Sequence, residues 1–381
     1  MKVLLVRLSP IESRDSANIR TLGLVKGLLE SNCIIDYLTI PPSNSHTTMP
    51  DKEFMKDINV IKTQSNELYN SVISNSRGIK KKLVGFMRKV YHSFNLYDYT
   101  YSIANSINID ILNKVEYDLV ISSSDPKTSH IVVKHLIKQG LIYKKWIQYW
   151  GDPMALDITR KSLYPNWFVS NIEKKILSSA DSIVYVSPFT LKQQTMLFPE
   201  LSNKMHFIPI PYIDEKIYDE TQNDIYTVGY FGAYESTVRD IIPLYNAGIE
   251  MKNMININII GNTDLDLKET ENIKLHPRGD ISEFESRADL LVCILNKKGA
   301  QIPGKIYHSA ATNKPILVVL DGEEVEEMKR YLDGFSRFIL CENNKESIIA
   351  AIQNIISENK KYKPARQFAS KEIALNFLDL I

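Results

Sequence analysis

Apolar and polar positions alternate in blocks along this chain, and the blocks predict strand, helix, strand, helix almost from the first residue. Residues 2–8 form an apolar run that suits a central parallel strand buried on both faces. A polar loop follows at 9–16. Residues 17–29 then carry Ile19, Leu22, Leu24, Val25, Leu28 and Leu29 at helical spacing, and 34–40 is the next strand. The same rhythm predicts strands over 58–62, 117–122, 145–149, 182–186 and 204–208, with helices over 91–113, 128–139, 167–179 and 187–196. The stretch PIPYIDEKIYDETQND, 209–224, is proline-rich and then acidic with no apolar period, so it reads as an interdomain linker.

After the linker the alternation restarts. Strands are predicted at 227–231, 256–260, 273–275, 289–295, 316–320 and 337–340, and helices at 240–248, 284–287, 324–331 and 345–358. A last amphipathic helix covers 365–381. The pattern is that of two Rossmann-like, doubly wound α/β domains, 1–212 and 213–364, facing each other across a cleft at their strand C-terminal ends. The helix over 365–381 is expected to pack back on the first domain.

Composition narrows the function classes. A chain of 381 residues suits two domains better than one. With 46 basic against 45 acidic residues there is no global field to favour nucleic acid. The N-terminal apolar run is too short for a signal peptide and lacks a small-residue cleavage site, and no stretch approaches a membrane span. A cytoplasmic protein is the expectation. Cys33, Cys293 and Cys341 are widely spaced and set among apolar residues, as buried thiols would be, and no cluster of metal ligands appears. The segment RGIKKKLVGFMRKV, 77–90, gathers basic residues around an apolar stripe. It either lies on an anionic membrane surface, at the inner face of the plasma membrane, or is a solvated helix burying one face in its own domain.

Candidate chemistry gathers at three places. In QIPGKIYHSAATNKP, 301–315, a Pro-Gly break precedes a lysine, a short helical run and a buried strand, which is how α/β proteins build anion sites. The first loop, 9–15, holds no glycine, so the dinucleotide fingerprint is missing. Two predicted strands end in Asp-Pro, within SSSDPKTSH and WGDPM. Asp125 and Asp152 then either face one cleft as functional acids or cap the following helices. His130 and His135 share a predicted helix and read as structural.

Several of these stretches, in their order, resemble the GT-B glycosyltransferases of the retaining family 4 type. The resemblance is carried by 17–29 with 34–39, by IEKKILSSADSIVYVSPFT (172–190), KMHFIPIPYID (204–214), VGYFGAYES (228–236) and IPGKIYHSAATNKPILVV (302–319). It implies transfer of a sugar from a nucleotide-sugar donor, bound as substrate, to a glycan or polyprenyl-linked acceptor in cell-surface polysaccharide biosynthesis. Retention of configuration and no metal or cofactor are implied as well. In that reading Arg239 and Lys305 are the cations on the departing diphosphate, and Gly232 lets the backbone approach it. Pro303, Gly304 and Ile306 belong to the donor loop, and His276 with Arg278 lines the base pocket. Asp152, or else Asp125, is the base or hydrogen-bond partner opposite.

The chain also departs from that family's pattern. His308 stands where the family has a glutamate on the ribose hydroxyls, and the acid expected near Ala300 is absent. Ala233 replaces the first of two paired cations, and Ile210–Pro211 replaces Asn-Gly. The departures keep other readings open: an inactive GT-B binding or scaffold partner, a nucleotide-sugar epimerase on the same architecture, or a two-lobed solute-binding protein, which the lack of a signal peptide disfavours.

Overall fold

A computed structural model describes residues 1–42, 52–64, 85, 90–158 and 160–381. The basic segment 77–90 lies outside the described residues except for Gly85 and Val90. The chain forms two compact units, 1–213 with 370–381, and 214–369.

The first unit is built on seven strands: β1 (Lys2–Val6), β2 (Ile34–Thr39), β3 (Asn59–Lys62), β4 (Tyr117–Ser123), β5 (Tyr143–Trp150), β6 (Ser182–Tyr185) and β7 (Met205–Phe207). Every neighbouring pair is parallel, in the order β3-β2-β1-β4-β5-β6-β7. Val3, Leu4, Leu5 and Val6 are fully buried, as a central strand covered on both faces requires. The helices are α1 (Ser16–Glu30), α2 (Tyr101–Ala104), α3 (Thr128–Lys138), α4 (Asn166–Leu177) and α5 (Pro188–Leu197). Asp15 starts α1, its Oδ1 accepting the Asn18 N–H at 2.8 Å. Ser187 caps α5 in the same way, with Pro188 in the first turn.

The continuous helix expected over 91–113 does not form. Residues 90–94 are helical, α2 is a single turn, and Ile109–Leu112 is a 3-10 turn. Polar side chains interrupt the run: Asp98 Oδ1 accepts the Thr100 N–H at 2.8 Å, and Asn108 Oδ1 accepts that of Asp110 at 3.1 Å. Such bonds compete with the helical ladder and outweigh the apolar spacing here.

The second unit repeats the plan with β8 (Tyr226–Phe231), β9 (Ile255–Ile260), β10 (Ile273–His276), β11 (Leu290–Ile294), β12 (Ile316–Leu320) and β13 (Ile339–Glu342). The order is β10-β9-β8-β11-β12-β13, again all parallel. Its helices are α6 (Ile242–Glu250), α7 (Ser282–Arg287), α8 (Lys305–Ser309), α9 (Val325–Asp333) and α10 (Lys345–Glu358). In both sheets the winding reverses at the central pair, β1/β4 and β8/β11. The crevice at a reversal of this kind is the usual ligand position in such folds.

The chain returns to the first unit as α11 (Ser370–Leu378), shorter than the expected 365–381 because Arg366–Phe368 is a 3-10 turn. α11 lies against α1 so closely that a Cβ on Gly27 would sit 1.9 Å from the Ser370 carbonyl oxygen. Phe377 adds an edge contact to Tyr149, with centroids 4.9 Å apart. Gly27→Ala must therefore push the two helices apart. Overpacking of this kind costs about 1–3 kcal/mol, and urea unfolding of the variant should show a lower midpoint and an unfolding free energy reduced by that amount. An unchanged midpoint would refute the close α1–α11 contact.

Candidate functional site

In the first unit the loops after β1 and β4 enclose a cavity of about 530 Å³. Arg7 follows β1 directly and is 1% exposed. Its guanidinium donates to Asp15 Oδ1 at 2.7 Å, Asn18 Oδ1 at 3.1 Å and Ser13 Oγ at 3.5 Å. Arg20 of α1 is also buried, donates to the Ser124 carbonyl, and lies 4.7 Å over the Tyr149 ring. Gly151 makes room for it, since a Cβ there would be 2.2 Å from Arg20 Nη1. Lys127, after β4, holds Asp125 at 3.1 Å and Asp157 at 3.6 Å.

The two Asp-Pro acids come into this one cluster, and neither caps a helix. Lys127 occupies the N-cap of α3 and Pro165 that of α4. Their titration is driven apart. Burial alone would raise Asp125, but Lys127, Arg20 and Arg7 outweigh it and hold its carboxyl below the ordinary value. Asp152 is raised, first by burial and then by the charge of Asp125, with Asp157 adding to the rise. Asp98, which also lines the cavity, is raised by burial against the pull of its Thr100 hydrogen bonds. The Asp152 loop is fixed by Glu173 of α4, which accepts the N–H groups of Met154 at 2.7 Å and Ala155 at 2.9 Å. Burial pushes Glu173 up to about 6. His130 is structural: its Nδ1 meets Ser122 Oγ at 2.8 Å, its ring stacks on Trp150, and burial pushes it down to about 3.

In the second unit the corresponding position is at the loops after β8 and β11. Arg239 stitches them, with Nε donating to Asn296 Oδ1 at 3.1 Å and Nη1 to the Ala233 carbonyl at 2.8 Å. The Lys297 N–H donates to Val238 O at 2.8 Å alongside. Gly232 sits in the β8 loop, where an added Cβ would meet nothing nearer than 3.7 Å. The steric need for glycine is at Gly261, whose Cβ would fall 1.9 Å from the Gly232 carbonyl oxygen.

Gly304 opens α8 and Lys305 is its first residue, exposed to solvent. Partial desolvation lowers the Lys305 amine, while Glu285 and Cys293 raise it and Lys216 and Arg278 lower it further. His308, one turn on, is pushed down to about 3 by burial first and then by Lys305 and Lys216. It is therefore a neutral imidazole. Ile306 and Pro303 do not fit as donor-contacting side chains: both are buried, so at most their backbone reaches the crevice. His276 ends β10, with its ring 4.6 Å from Phe284 and its Nε2 buried without a hydrogen-bond partner among the described residues.

The sequence did not reveal Glu285. This α7 residue is 4% exposed and accepts from Lys216 Nζ and, at 2.9 Å, from the Tyr218 hydroxyl. Its partners lie more than sixty residues away, so spacing offered no clue. Arg7 left a faint sign as a charge closing an apolar run, and Arg20 left none.

No protein-family model and no curated protein sequence matches the chain. Solved structures do match. A sucrose-phosphate synthase from Thermosynechococcus elongatus superposes with a TM-score of 0.59 at 14% identity, over 100% of this chain and 98% of that one. A glycosyltransferase from Rickettsia africae ESF-5 gives 0.54 at 15%, over 100% and 95%. The fold is GT-B. A protein described as a UDP-N-acetylglucosamine 2-epimerase, from Listeria monocytogenes, also superposes, with a TM-score of 0.52 at 12% identity over 99% and 94%. A GT-B architecture therefore hosts more than one chemistry, and residues must decide between them. Among the described residues no group of three or more His, Cys, Asp or Glu side chains is placed to hold a metal, and no helix is long and apolar enough to cross a membrane.

Glu285 is the charge that lets Lys216 and Lys305 share this end of the GT-B second unit. Glu285→Gln should cost about 1–2 kcal/mol in urea unfolding at low salt, because Lys216 is partly exposed and recovers some hydration. The loss should shrink at 1 M salt. A salt-independent loss would show that packing, not charge, is what Glu285 supplies.

Proposed function

We propose that the protein is a glycosyltransferase that takes a sugar from a nucleotide-sugar donor and passes it to a glycan acceptor. One observation carries the reading. At the crevice of the second unit, Lys305 has no ion-pair partner among the described residues, and Arg239 bonds only neutral oxygens there. Two cations held without carboxylates, beside a helix opening, suit a ligand that brings its own negative charge. When the glycosidic bond to the diphosphate breaks, the charge developing on the leaving group meets donors already in place, which is where such sites gain most.

The acceptor chemistry belongs to Asp152. A carboxylate whose pKa is raised toward neutrality accepts a proton from a hydroxyl more readily than an ordinary one while remaining largely ionised at neutral pH. In its finer form the proposal is transfer with retention and without a metal, to a glycan or polyprenyl-linked acceptor, in assembly of a cell-surface polysaccharide, at the inner face of the plasma membrane. The resemblance carried by 172–190 and 302–319 supports this form, and the anomeric configuration of the product tests it. Epimerisation of a nucleotide sugar is the second reading, favoured by the epimerase-like neighbour. It predicts a changed donor sugar with no acceptor present.

A thermal-shift screen with nucleoside diphosphates and nucleotide sugars identifies the donor, since a bound ligand raises the apparent midpoint by mass action. With that donor, Lys305→Ala and Arg239→Ala should each lower kcat/KM by about 10²-fold, the usual effect of removing one preorganised donor. The unfolding curve should be unchanged for Lys305→Ala and lowered for Arg239→Ala, which also loses its bonds to Asn296 and Ala233. Full turnover with both replaced would sink the phosphate assignment.

Asp152→Asn should lower kcat by about 10²-fold. In the unaltered protein the rate should rise with pH through the raised Asp152 pKa, because the ionised form is the active one. That limb should flatten in the variant. A variant that keeps the limb would remove Asp152 from the reaction.

A further inference from the structure

The cavity of about 530 Å³ in the first unit falls within the size range of small-molecule sites, and its lining says what class of ligand suits it. Both cations that line it are already ion-paired. Arg7 is held by Asp15 at 2.7 Å, and Lys127 by Asp125 and Asp157 at 3.1 and 3.6 Å. The lining carries three carboxylates, Asp15, Asp98 and Asp125, against these two cations. A phosphate, carboxylate or sulfate entering here would lose hydration and find acids around it with no unpaired cation, an arrangement that costs more than it returns.

The lining also carries two tyrosines, Tyr97 and Tyr99, both held in place. Tyr97 is stacked on Tyr101 with centroids 4.6 Å apart and planes 4° from parallel. Tyr99 packs on Tyr91 at 4.6 Å, and its hydroxyl is 2.9 Å from His92 Nε2. Rings already ordered lose little freedom when a ligand packs on them. Beside them Asp98 Oδ1 takes the Thr100 N–H at 2.8 Å and the Thr100 hydroxyl. Its Oδ2 meets only the Thr128 hydroxyl, at 3.4 Å, among the described residues and keeps acceptor capacity. A pyranose matches this combination: its C–H faces cover the tyrosine rings, and its hydroxyls donate to carboxylate oxygens in charge-assisted bonds.

We propose that this cavity binds the sugar unit carrying the acceptor hydroxyl, and that this unit is uncharged. The proposal rests on the glycosyltransferase reading and adds the class of acceptor. It places uronic acids, sialic acids and sugar phosphates outside the acceptor range at the reacting end of the glycan.

The test is direct binding to the full chain by saturation-transfer NMR with methyl pyranosides of glucose, galactose, mannose, rhamnose and N-acetylglucosamine, beside methyl glucuronide, methyl galacturonide and glucose 6-phosphate. At least one neutral pyranoside should bind, at least tenfold tighter than its acidic counterpart. Asp98→Asn, which keeps the volume, and Tyr97→Leu, which removes the ring, should each weaken that binding at least fivefold. If either variant misfolds, the paired comparison on the unaltered chain still decides.

Equal or tighter binding of the uronides or the phosphate would overturn the proposal. So would binding of neutral sugars that both folded variants leave unchanged, since the ligand would then sit elsewhere. Nucleotide binding measured in parallel separates the two claims. A chain that binds nucleoside diphosphates but no neutral pyranoside refutes the acceptor class and leaves the transferase reading standing, whereas one that binds no nucleotide refutes the reading itself.

Discussion

A guanidinium buried at the end of a parallel strand is a constraint that the surrounding chain has to satisfy. Arg7 is such a group: buried, always charged, and tolerable because Asp15, Asn18 and Ser13 meet its two Nη groups. Those partners come from the loop after β1 and the first turn of α1. The same Asp15 that neutralises Arg7 also caps the helix. One ionic contact thereby fixes where β1 stops, where α1 starts, and the shape of one wall of the cavity. Arg20 extends the arrangement along α1 to the Ser124 carbonyl and the face of Tyr149, and so ties the ends of β4 and β5 to the same helix.

The two units use one topology and solve its electrostatics in opposite ways. In each, parallel strands end at a reversal of winding, where loops diverge and polar groups collect. In the first unit the cations of that region are matched by carboxylates, and the surplus is acid. In the second, Glu285 is engaged by Lys216 and Tyr218, while Arg239 and Lys305 are left to neutral partners or solvent. A surplus of acid suits hydroxyl donors and a surplus of cation suits phosphates. The difference lies in side chains on matching loops, so on the proposed reading two similar sheets would serve the two ends of one transfer reaction.

Much of the fold was legible in the sequence, because strands buried on both faces leave continuous apolar runs. The run at 316–320 was placed to the residue, and α10 likewise. Periodicity failed at 91–113, where Asp98 and Asn108 interrupt a helical spacing with local hydrogen bonds that apolar counting does not register. Asp125 and Asp152 were legible as a pair because each follows a strand and precedes proline. Their compensating cations were not. Arg20 and Lys127 owe their roles to positions that the chain reaches only after folding, and Glu285 meets Lys216 across 69 residues. Ile306 shows the converse: membership of a motif placed it in the donor loop, and its side chain lies in the core, which leaves its backbone for that role.

His308 shows how far one substitution shifts the chemistry of the second crevice. The resemblance places a carboxylate at this position, and a carboxylate offers two acceptor oxygens and a full negative charge. The histidine here is neutral, because burial and the nearby Lys305 and Lys216 both oppose its protonation. It offers at most one acceptor, so it cannot take both hydroxyls of a ribose as a carboxylate does. Removing the negative charge also leaves Lys305 less compensated. If the proposed nucleotide-sugar donor binds here, the balance of recognition moves from the sugar of the nucleotide to its phosphates, for which Arg239 and Lys305 are the available cations. On the proposed glycosyltransferase reading, a site of this kind would depend on diphosphate charge more than on the identity of the nucleoside.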